Sequence, residues 1–584
     1  MSEQEQAKTT AAGAAQAKLP VVLMWHMHQP YYRDAVSGQY VLPWTYLHAT
    51  KDYTDMAAHL EEEPRARAVV NFAPTLLEQI DDYAERIRAC LASARRWSLG
   101  KAKSVGDPLL DALAAESLAP EPGERAELIR ACLRVNRARL VAPQPRFAAL
   151  VALAEAIDAH PDQAASVTDQ YIFDLVTWYH LVWLGQSVRQ RNPLAGELLE
   201  QGGEFGLDQR RALVELIAEQ LETVVPRYRA LAEQGRVELS MTPYAHPIGP
   251  LLLDFHAARE ARPETPLPEH DHYPGGDGRC RWHVEEGFRV FEAHFGLRPQ
   301  GVWPAEGGVS QEALALLDGY DLRWAATGEQ VLHNSGADFD GCQHRGFAVE
   351  GLGLRCFFRD DGLSDNIGFR YADWSADDAV GDLIHHLESI AAACATRPDA
   401  VCSIILDGEN AWEYYPDNGA PFLSTLYRRL AEHPSLELTT FSAYLERLDG
   451  PPTGRLNRVT AGSWVYGDFA TWLGHPAKNR AWDLLCEAKR ATDRALRRVG
   501  IPRERRRAIE RQLAVCEGSD WCWWFGDDNP SGSVRDFDRL YRGHLKALYA
   551  LLEMTAPAAL DQPISTGGGD PAAGGVMRPG QTPV

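Results

Sequence analysis

The feature that most constrains this chain of 584 residues is a spacing. Short apolar runs recur along it, separated by stretches of helical periodicity: 21–26 (VVLMWH), 68–72 (AVVNF), 237–241 (VELSM), 300–303 (QGVW), 322–327 (LRWAAT), 354–358 (LRCFF), 401–406 (VCSIIL) and 436–440 (LELTT). Strands that alternate with helices build a parallel sheet from βα units. Seven or eight such strands predict a closed barrel.

Between these runs the apolar residues fall at helical intervals, as at 208–225, where Leu213, Ile217, Leu221 and Val224 share a face. Pro226 is expected to end or kink that helix, and Gly235 to stop the next. The interval 73–236 is too long for one crossover, so a mostly helical insertion is expected around 80–235. Residues 255–285 read as a surface loop. The barrel itself would span 19–450, followed by a helical C-terminal domain over 451–555, including a helix at 478–499 stopped by Gly500. Residues 1–18 and the Gly/Pro-rich 556–584 are expected to be disordered tails.

Composition narrows the partners. A net charge of −22 opposes binding to a phosphate backbone or an anionic membrane. No run approaches the length of a membrane span, and the first twenty residues lack a hydrophobic signal core, so a cytoplasmic location is expected. The ten cysteines are scattered without a CxxC pair and read as reduced, mostly buried thiols. No cofactor or metal is called for, and nothing sets an oligomeric state.

Chemistry concentrates where the strands end. Run 21–26 leads into His26, His28 and Gln29; 237–241 into Tyr244 and His246; 300–303 into Trp303 and Glu306; and 401–406 into Asp407, Glu409, Asn410 and Trp412. In a βα barrel the C-terminal strand ends share one rim, where active sites form. Carboxylates, imidazoles and aromatic rings on one rim suit glycoside hydrolysis, in which one carboxylate attacks the anomeric carbon and a second carboxyl protonates the departing oxygen. Flat sugar faces stack on Trp and Tyr. Each residue also has a structural alternative. His26 and His28 alternate on a strand, so one can face the core; Glu306 can cap a helix near Ser310; Asp407 before Gly408 can form a turn; and Trp523, Trp524 and Phe525 can be a core contact.

Five ordered blocks, WHMHQPYY (25–32), GRVELSMTPYAHPIGPLL (235–252), GVWPAEGGVS (301–310), ILDGENAWEYY (405–415) and GSWVYGDFATWLGHPAKNRAW (462–482), resemble the α-amylase and amylopullulanase branch of glycoside hydrolase family 57. Supporting similarity in VNFAPTLLEQI, LSDNIGF and EGSDWCWWFGDD extends the likeness to roughly residues 20–550. The resemblance implies an α/β fold, an incomplete (β/α)7 TIM-like barrel with a helical insertion and a helical C-terminal domain. It implies a retaining mechanism on α-glucans, with Glu306 as nucleophile and Asp407 as general acid/base. It places His28 and His246 beside the reacting sugar, with His26, Gln29, Trp303, Glu409 and Trp412 as further substrate contacts and Trp464, Trp472 and Lys478 along the cleft. Ala245 and the Glu306-Gly307-Gly308 sequence depart from the familiar pattern. They leave open whether α-1,4 links alone or α-1,6 branches too are accepted, and whether water or a sugar takes the glycosyl group.

The expected division of labour has Glu306 ionised and Asp407 protonated at rest, their carboxyls roughly 5–5.5 Å apart. Two other classes compete: a metal-dependent deacetylase or mannosidase-like hydrolase built on His26, His28, His246 and Asp407, and a non-catalytic α-glucan-binding protein.

Overall fold

The computed structural model describes residues 18–96, 103–336, 342–448, 450, 453–497, 500–569 and 577–578. The expected N-terminal tail lies outside them apart from Lys18. Ten strands form one sheet among these residues: Leu19–Met27 (β1), Ala68–Phe72 (β2), Val237–Met241 (β3), Gly301–Val302 (β4), Trp324–Thr327 (β5), Phe347–Val349 (β6), Arg355–Phe358 (β7), Cys402–Asp407 (β8), Leu436–Thr439 (β9) and Gly454–Leu456 (β10). β8, β1, β2, β3, β4, β5 and β7 run parallel in that order and make the barrel wall. β9 pairs the start of β1, while β6 and β10 extend beyond β7.

The wall does not close. No ladder joins β7 to β8; the seam is spanned by Asp360 N donating to Ser403 O at 2.8 Å and by the Arg359 guanidinium donating to Ile405 O. The fold is therefore an incomplete (β/α)7 barrel, and the expectation of a closed one is corrected. β6 and β10, three residues each, did not stand out as apolar runs.

Strand parity explains what faces the interior. Val22 and Met24 of β1, Val69 of β2, Trp324 and Ala326 of β5, Phe357 of β7 and Ile405 of β8 form one buried cluster, whereas Val21, Leu23, Trp25 and Met27 belong to the larger core outside the wall. Both faces are dry, which is why these strands read as continuous apolar runs. Continuing the inward parity by one step reaches His26, Asn71 and Asp407 at the C-terminal rim.

Among the described residues, eight α-helices lie between β2 and β3, from Pro74–Arg96 to Leu207–Glu233. Pro226 does not break the last of these. The helix runs through it, held by buried Val224, Tyr228 and Leu231, and Gly235 at φ 67° follows its end. The expected loop at 255–285 is shorter than the sequence suggested, because Gly276–Phe295 is helical. The C-terminal helices Pro476–Leu496, Arg503–Cys516 and Ser531–Leu551 pack beside the barrel rim. The tail expected to be disordered from 556 is also corrected: Ala558–Asp561 forms a 3-10 turn, Leu560 is buried, and Asp538 accepts from Ile564 N at 2.7 Å. Residues 570–576 and 579–584 of that tail lie outside the described residues.

Gly301 stands opposite Trp324 in the β4–β5 register, and a Cβ there would fall 1.8 Å from Trp324 Cε2. Trp324 cannot retreat easily, since its Nε1 donates to Glu238 Oε1 at 2.7 Å. Gly301→Ala is expected to lower the unfolding free energy by about 1–3 kcal/mol through overpacking, read from denaturant melts.

Candidate active site

Register assembles the floor of the site. His26 stands beside Asn71 on β2 and Asp407 on β8, and Asn71 stands beside Ser240 on β3. Side chains at matched positions of parallel strands point the same way, so four strands present one row to the cavity. His26 Nδ1 lies 2.7 Å from Asn71 Oδ1, and Asn71 Nδ2 donates to Ser240 Oγ at 2.9 Å. His28, two residues on, shares the parity of His26 and also faces the cavity.

Two loops deliver the rest in strained backbone. Ala245 and His246 (φ 58° and 57°) and Glu306 (φ 58°) occupy the left-handed region that non-glycine residues avoid, at a cost of roughly 1–3 kcal/mol each. Cross-bonds hold them there. Ser519 N donates to His246 O at 2.8 Å, Pro247 bridges Gly518, and Trp464 N donates to Glu306 O at 3.1 Å. The result aims the Glu306 carboxyl into the cavity instead of leaving it to cap the helix Gln311–Asp318, whose N-cap is Ser310.

Around Glu306 the partners are specific. Trp464 Nε1 donates to Oε2 at 3.1 Å, and Ser519 Oγ lies 3.0 Å from Oε1. Ser519 Oγ is also 2.8 Å from His246 Nδ1, and His246 Nε2 is 3.1 Å from His26 Nε2. An unbroken chain of contacts therefore runs from Ser240 through Asn71, His26, His246 and Ser519 to Glu306. Burial lifts the Glu306 carboxyl to about 7, with His28 pulling it down and Asp520 and Asp407 pushing it up. Asp407 accepts from Asn410 Nδ2 at 3.0 Å and is raised by burial to about 6. That order is the reverse of the sequence expectation, because Asn410, then His28 and Arg359, pull the buried Asp407 back down while Glu306 faces two acids.

Three imidazoles line the cavity together with the carboxyls. Burial drives His26 down to about 3 and His246 well below the ordinary histidine range, so both are neutral. His28 goes the other way: burial lowers it, but the contact from its Nε2 to Asp520 Oδ1 at 2.7 Å outweighs burial and raises it. The ring nitrogens of His26, His28 and His246 come within 4.8 Å of one another. The three rings are nevertheless stacked, with interplanar angles of 16–18°. His26 Nε2 and His246 Nε2 face each other at a hydrogen-bond distance of 3.1 Å, so these two nitrogens are engaged with one another.

The cavity has a volume of about 440 Å³ and is lined by His26, His28, Gln29, His246, Glu306, Asp407, Glu409 and Trp464 from the sequence candidates. Glu409 accepts from Gln29 Nε2 at 3.1 Å. Three candidates are elsewhere. Trp303 is fully buried beneath the floor, edge-on to Trp464; Trp412 packs on Trp25, Tyr415 and Phe422 with Nε1 donating to Gly408 O; and Trp472 is in the core beside Trp523. Lys478 is buried with Nζ on Thr471 O. In each case a large side chain from a family-like block serves packing. Trp523, Trp524 and Phe525 pack in the core as expected, and Trp523 and Trp524 also line the cavity, as does Asp520. Asn71, Ser519 and Asp520 were missed as site residues. Asn71 was visible as the one polar residue in an apolar run, and Ser519-Asp520 sit inside the EGSDWCWWFGDD segment.

Comparison with known proteins follows from this geometry. The family model described as glycosyl hydrolase family 57 matches residues 22–456. The chain belongs to that family. The whole fold is similar to that of a family 57 branching enzyme from the archaeon Thermococcus kodakaraensis (TM-score 0.58, 14% identity, covering 91% of this chain and 90% of that one). It is also similar to the α-amylase AmyC of Thermotoga maritima (TM-score 0.54, 14% identity, 92% and 93% covered) and to a branching enzyme from Pyrococcus horikoshii (TM-score 0.53, 14% identity, 93% and 96%). At such identities the likeness speaks for the fold. No helix among the described residues is long and apolar enough to cross a membrane.

One buried cluster fixes the family 57 site from behind. Glu517 accepts from Arg279 Nη2 at 2.7 Å and Tyr273 Oη at 2.5 Å, and lies 2.8 Å from His283 Nε2, while His283 Nδ1 contacts Tyr244 O. Burial opposes the charge, yet Arg279 and then His283 hold the Glu517 carboxyl down to about 2. A carboxylate depressed on folding stabilises fully above its unfolded range and less as pH falls. Stability should therefore decline between about 4.5 and about 2 as Glu517 protonates. Glu517→Gln should cost about 3–5 kcal/mol by leaving Arg279 uncompensated, measured by chemical denaturation, and flatten that acid limb.

Proposed function

We propose that this chain is a retaining enzyme acting on α-glucans. The observation that carries the reading is the meeting of Glu306 and Asp407, 101 positions apart in sequence, in one cavity lined by three imidazoles and by Trp464, Trp523 and Trp524. Glu306 attacks the anomeric carbon while Asp407 gives its proton to the glycosidic oxygen, so the leaving chain departs neutral. Asp407, now ionised, takes the proton of the incoming hydroxyl as that hydroxyl displaces Glu306 and restores the α configuration. Trp464, Trp523 and Trp524 offer faces on which pyranose rings stack.

The imidazole chain ties the protonation of Glu306 to its surroundings. Both rings are neutral, so each has one donor and one acceptor nitrogen. With the Asn71 carbonyl toward His26, His26 Nδ1–H donates to it, His246 Nε2–H donates to His26, and the Ser519 hydroxyl donates to His246. Ser519 Oγ then accepts from a protonated Glu306. Turning the amide and both tautomers over reverses every bond and gives the Ser519 proton to an ionised Glu306. Apart from that turn of the Asn71 amide the heavy atoms need not move, so ionisation of the nucleophile is accommodated within the wall.

Protonated at rest by burial, the acid pair carries one proton across the range bounded by about 6 and about 7. The reactive form holds that proton on Asp407. Asn410 favours the ionised form of Asp407, and removing it raises the Asp407 pKa. We expect a bell-shaped kcat/KM profile peaking in that range, and Asn410→Ala, by raising Asp407 toward Glu306, should move the limb near about 6 to higher pH and narrow the bell; an unmoved limb would remove Asp407 from the acid role.

Water as acceptor gives an α-amylase or amylopullulanase-like activity. A sugar hydroxyl held on the Trp523–Trp524 face, which lines the same cavity, gives a 4-α-glucanotransferase or branching activity. Incubating the protein with maltooligosaccharides, amylose, pullulan and glycogen, with product anomers followed by NMR, separates these outcomes. The expected first product is the α anomer. Glu306→Gln should lose several orders of magnitude in kcat with its fold intact, and a β first product or near wild-type turnover by that variant overturns the reading.

A further inference from the structure

Away from the glucan cavity, the open seam of the barrel gathers an unusual set of donors. Cys342 and His344 lie on the segment leading into β6, Cys394 caps the helix Ala376–Ala393, Asp360 follows β7, and Cys402 begins β8. The backbone brings them together where the wall has no ladder: His344 O accepts from Val401 N at 2.9 Å, Arg345 bridges Ala400, and Asp360 N donates to Ser403 O. None of these side chains lines the cavity.

The geometry is specific. The ligand atoms of Cys342, His344 and Cys394 all lie within 4.8 Å of one another, and His344, Asp360 and Cys402 form a second trio that shares the imidazole. The Cys342 and Cys394 sulfurs are 3.7 Å apart. Two thiolates bound to one tetrahedral zinc at about 2.3 Å are separated by roughly 3.8 Å, whereas a disulfide needs about 2.05 Å. His344 Nε2 is 2.9 Å from Asp360 Oδ2, and the other Asp360 oxygen accepts from Leu363 N at 2.8 Å. A carboxylate fixed in this way on one imidazole nitrogen orients a ligating histidine and leaves Nδ1 as the nitrogen free to bind. Two thiols with an imidazole form a borderline-soft set that suits zinc over magnesium or calcium.

We propose that Cys342, His344 and Cys394 bind a structural zinc ion, with Cys402 as the further thiol at hand, and that this ion clips β8 to the β6–β7 side of the barrel seam. β8 ends in Asp407, so the clip braces the strand that carries one of the two acids. The ion replaces the missing ladder with a bond network that crosses three separate segments of chain, and its binding energy becomes folding energy.

The test is metal analysis of the full-length protein, expressed with zinc and dialysed without chelator. Wild type and His28→Ala should each hold about one zinc per chain, and Cys342→Ser and Cys394→Ser should lose it. Chelation should lower the Tm of wild type and leave the two serine variants unchanged. Should either serine variant fail to fold, cobalt exchanged into wild type reads the same ligands through a thiolate-to-cobalt charge-transfer band. Metal-free wild type that takes up no cobalt band overturns the proposal. So does zinc that persists in both serine variants, zinc lost only in His28→Ala, or a Cys342–Cys394 disulfide found by peptide mapping.

Discussion

The buried carboxylate of Glu517 is the interaction on which the site most depends. It joins Arg279 and His283 of the helix Gly276–Phe295 to the turn that carries Ser519 and Asp520, and His283 reaches on to the carbonyl of Tyr244. It acts together with the Ser519 N–H bond to His246 O and the Pro247–Gly518 bridge, which tie the same turn to the loop after β3. Taking these charges out of water is costly, and a network that satisfies every partner recovers that cost while selecting one arrangement. The arrangement selected puts Ser519 on Glu306 and Asp520 on His28. The stability of a region outside the barrel is thereby converted into the position of groups inside it.

Register does the same for the barrel side. The inward row of β8, β1, β2 and β3 is mostly apolar at its lower levels, Ser403 and Glu238 excepted, and becomes polar throughout at the rim, where Asp407, His26, Asn71 and Ser240 follow one another across four strands. A slip of one residue in any of these strands would send its rim residue to the outer face. The dry layer beneath, including Trp303 and Trp324, locks the strands against such a slip. Catalytic placement and core packing are thus the same constraint read at two heights of the barrel.

This explains what the sequence made legible. All eight apolar runs contain strands, because a strand covered on both faces leaves a local signature; β10 left none because Arg455 interrupts it, and the short Phe347–Val349 of β6 stands alone between polar and glycine residues. Glu306, Asp407 and the histidines were legible because polar residues directly after apolar runs must lie at strand ends. The tryptophans were not. Whether Trp412 faces the glucan or Trp25 depends on tertiary packing, and an indole suits both environments. Pro226 misled for the opposite reason, since a local breaker was overridden by buried neighbours on both sides. Asn71 and Ser519 act only through partners 45 or more positions away, so their role follows from contacts that no local pattern encodes.

Charge sets the remaining limit on the site. Glu306, Asp407 and Glu409 are all raised by burial, and the histidines do little to offset them: His28 is engaged with Asp520, and His26 and His246 are neutral. Arg134, paired with Asp536, and Arg535 also line the cavity, yet a negative charge brought beside the acids would raise those carboxyls further. A neutral sugar adds no charge, and its hydroxyls can donate to the acids while its ring displaces water. Displacing water strengthens the interaction between Glu306 and the positive charge that develops at the anomeric carbon, because the same charges then act through a lower dielectric. The burial that makes Glu306 reluctant to ionise in the empty site is therefore what makes its ionised form effective against an oxocarbenium-like centre.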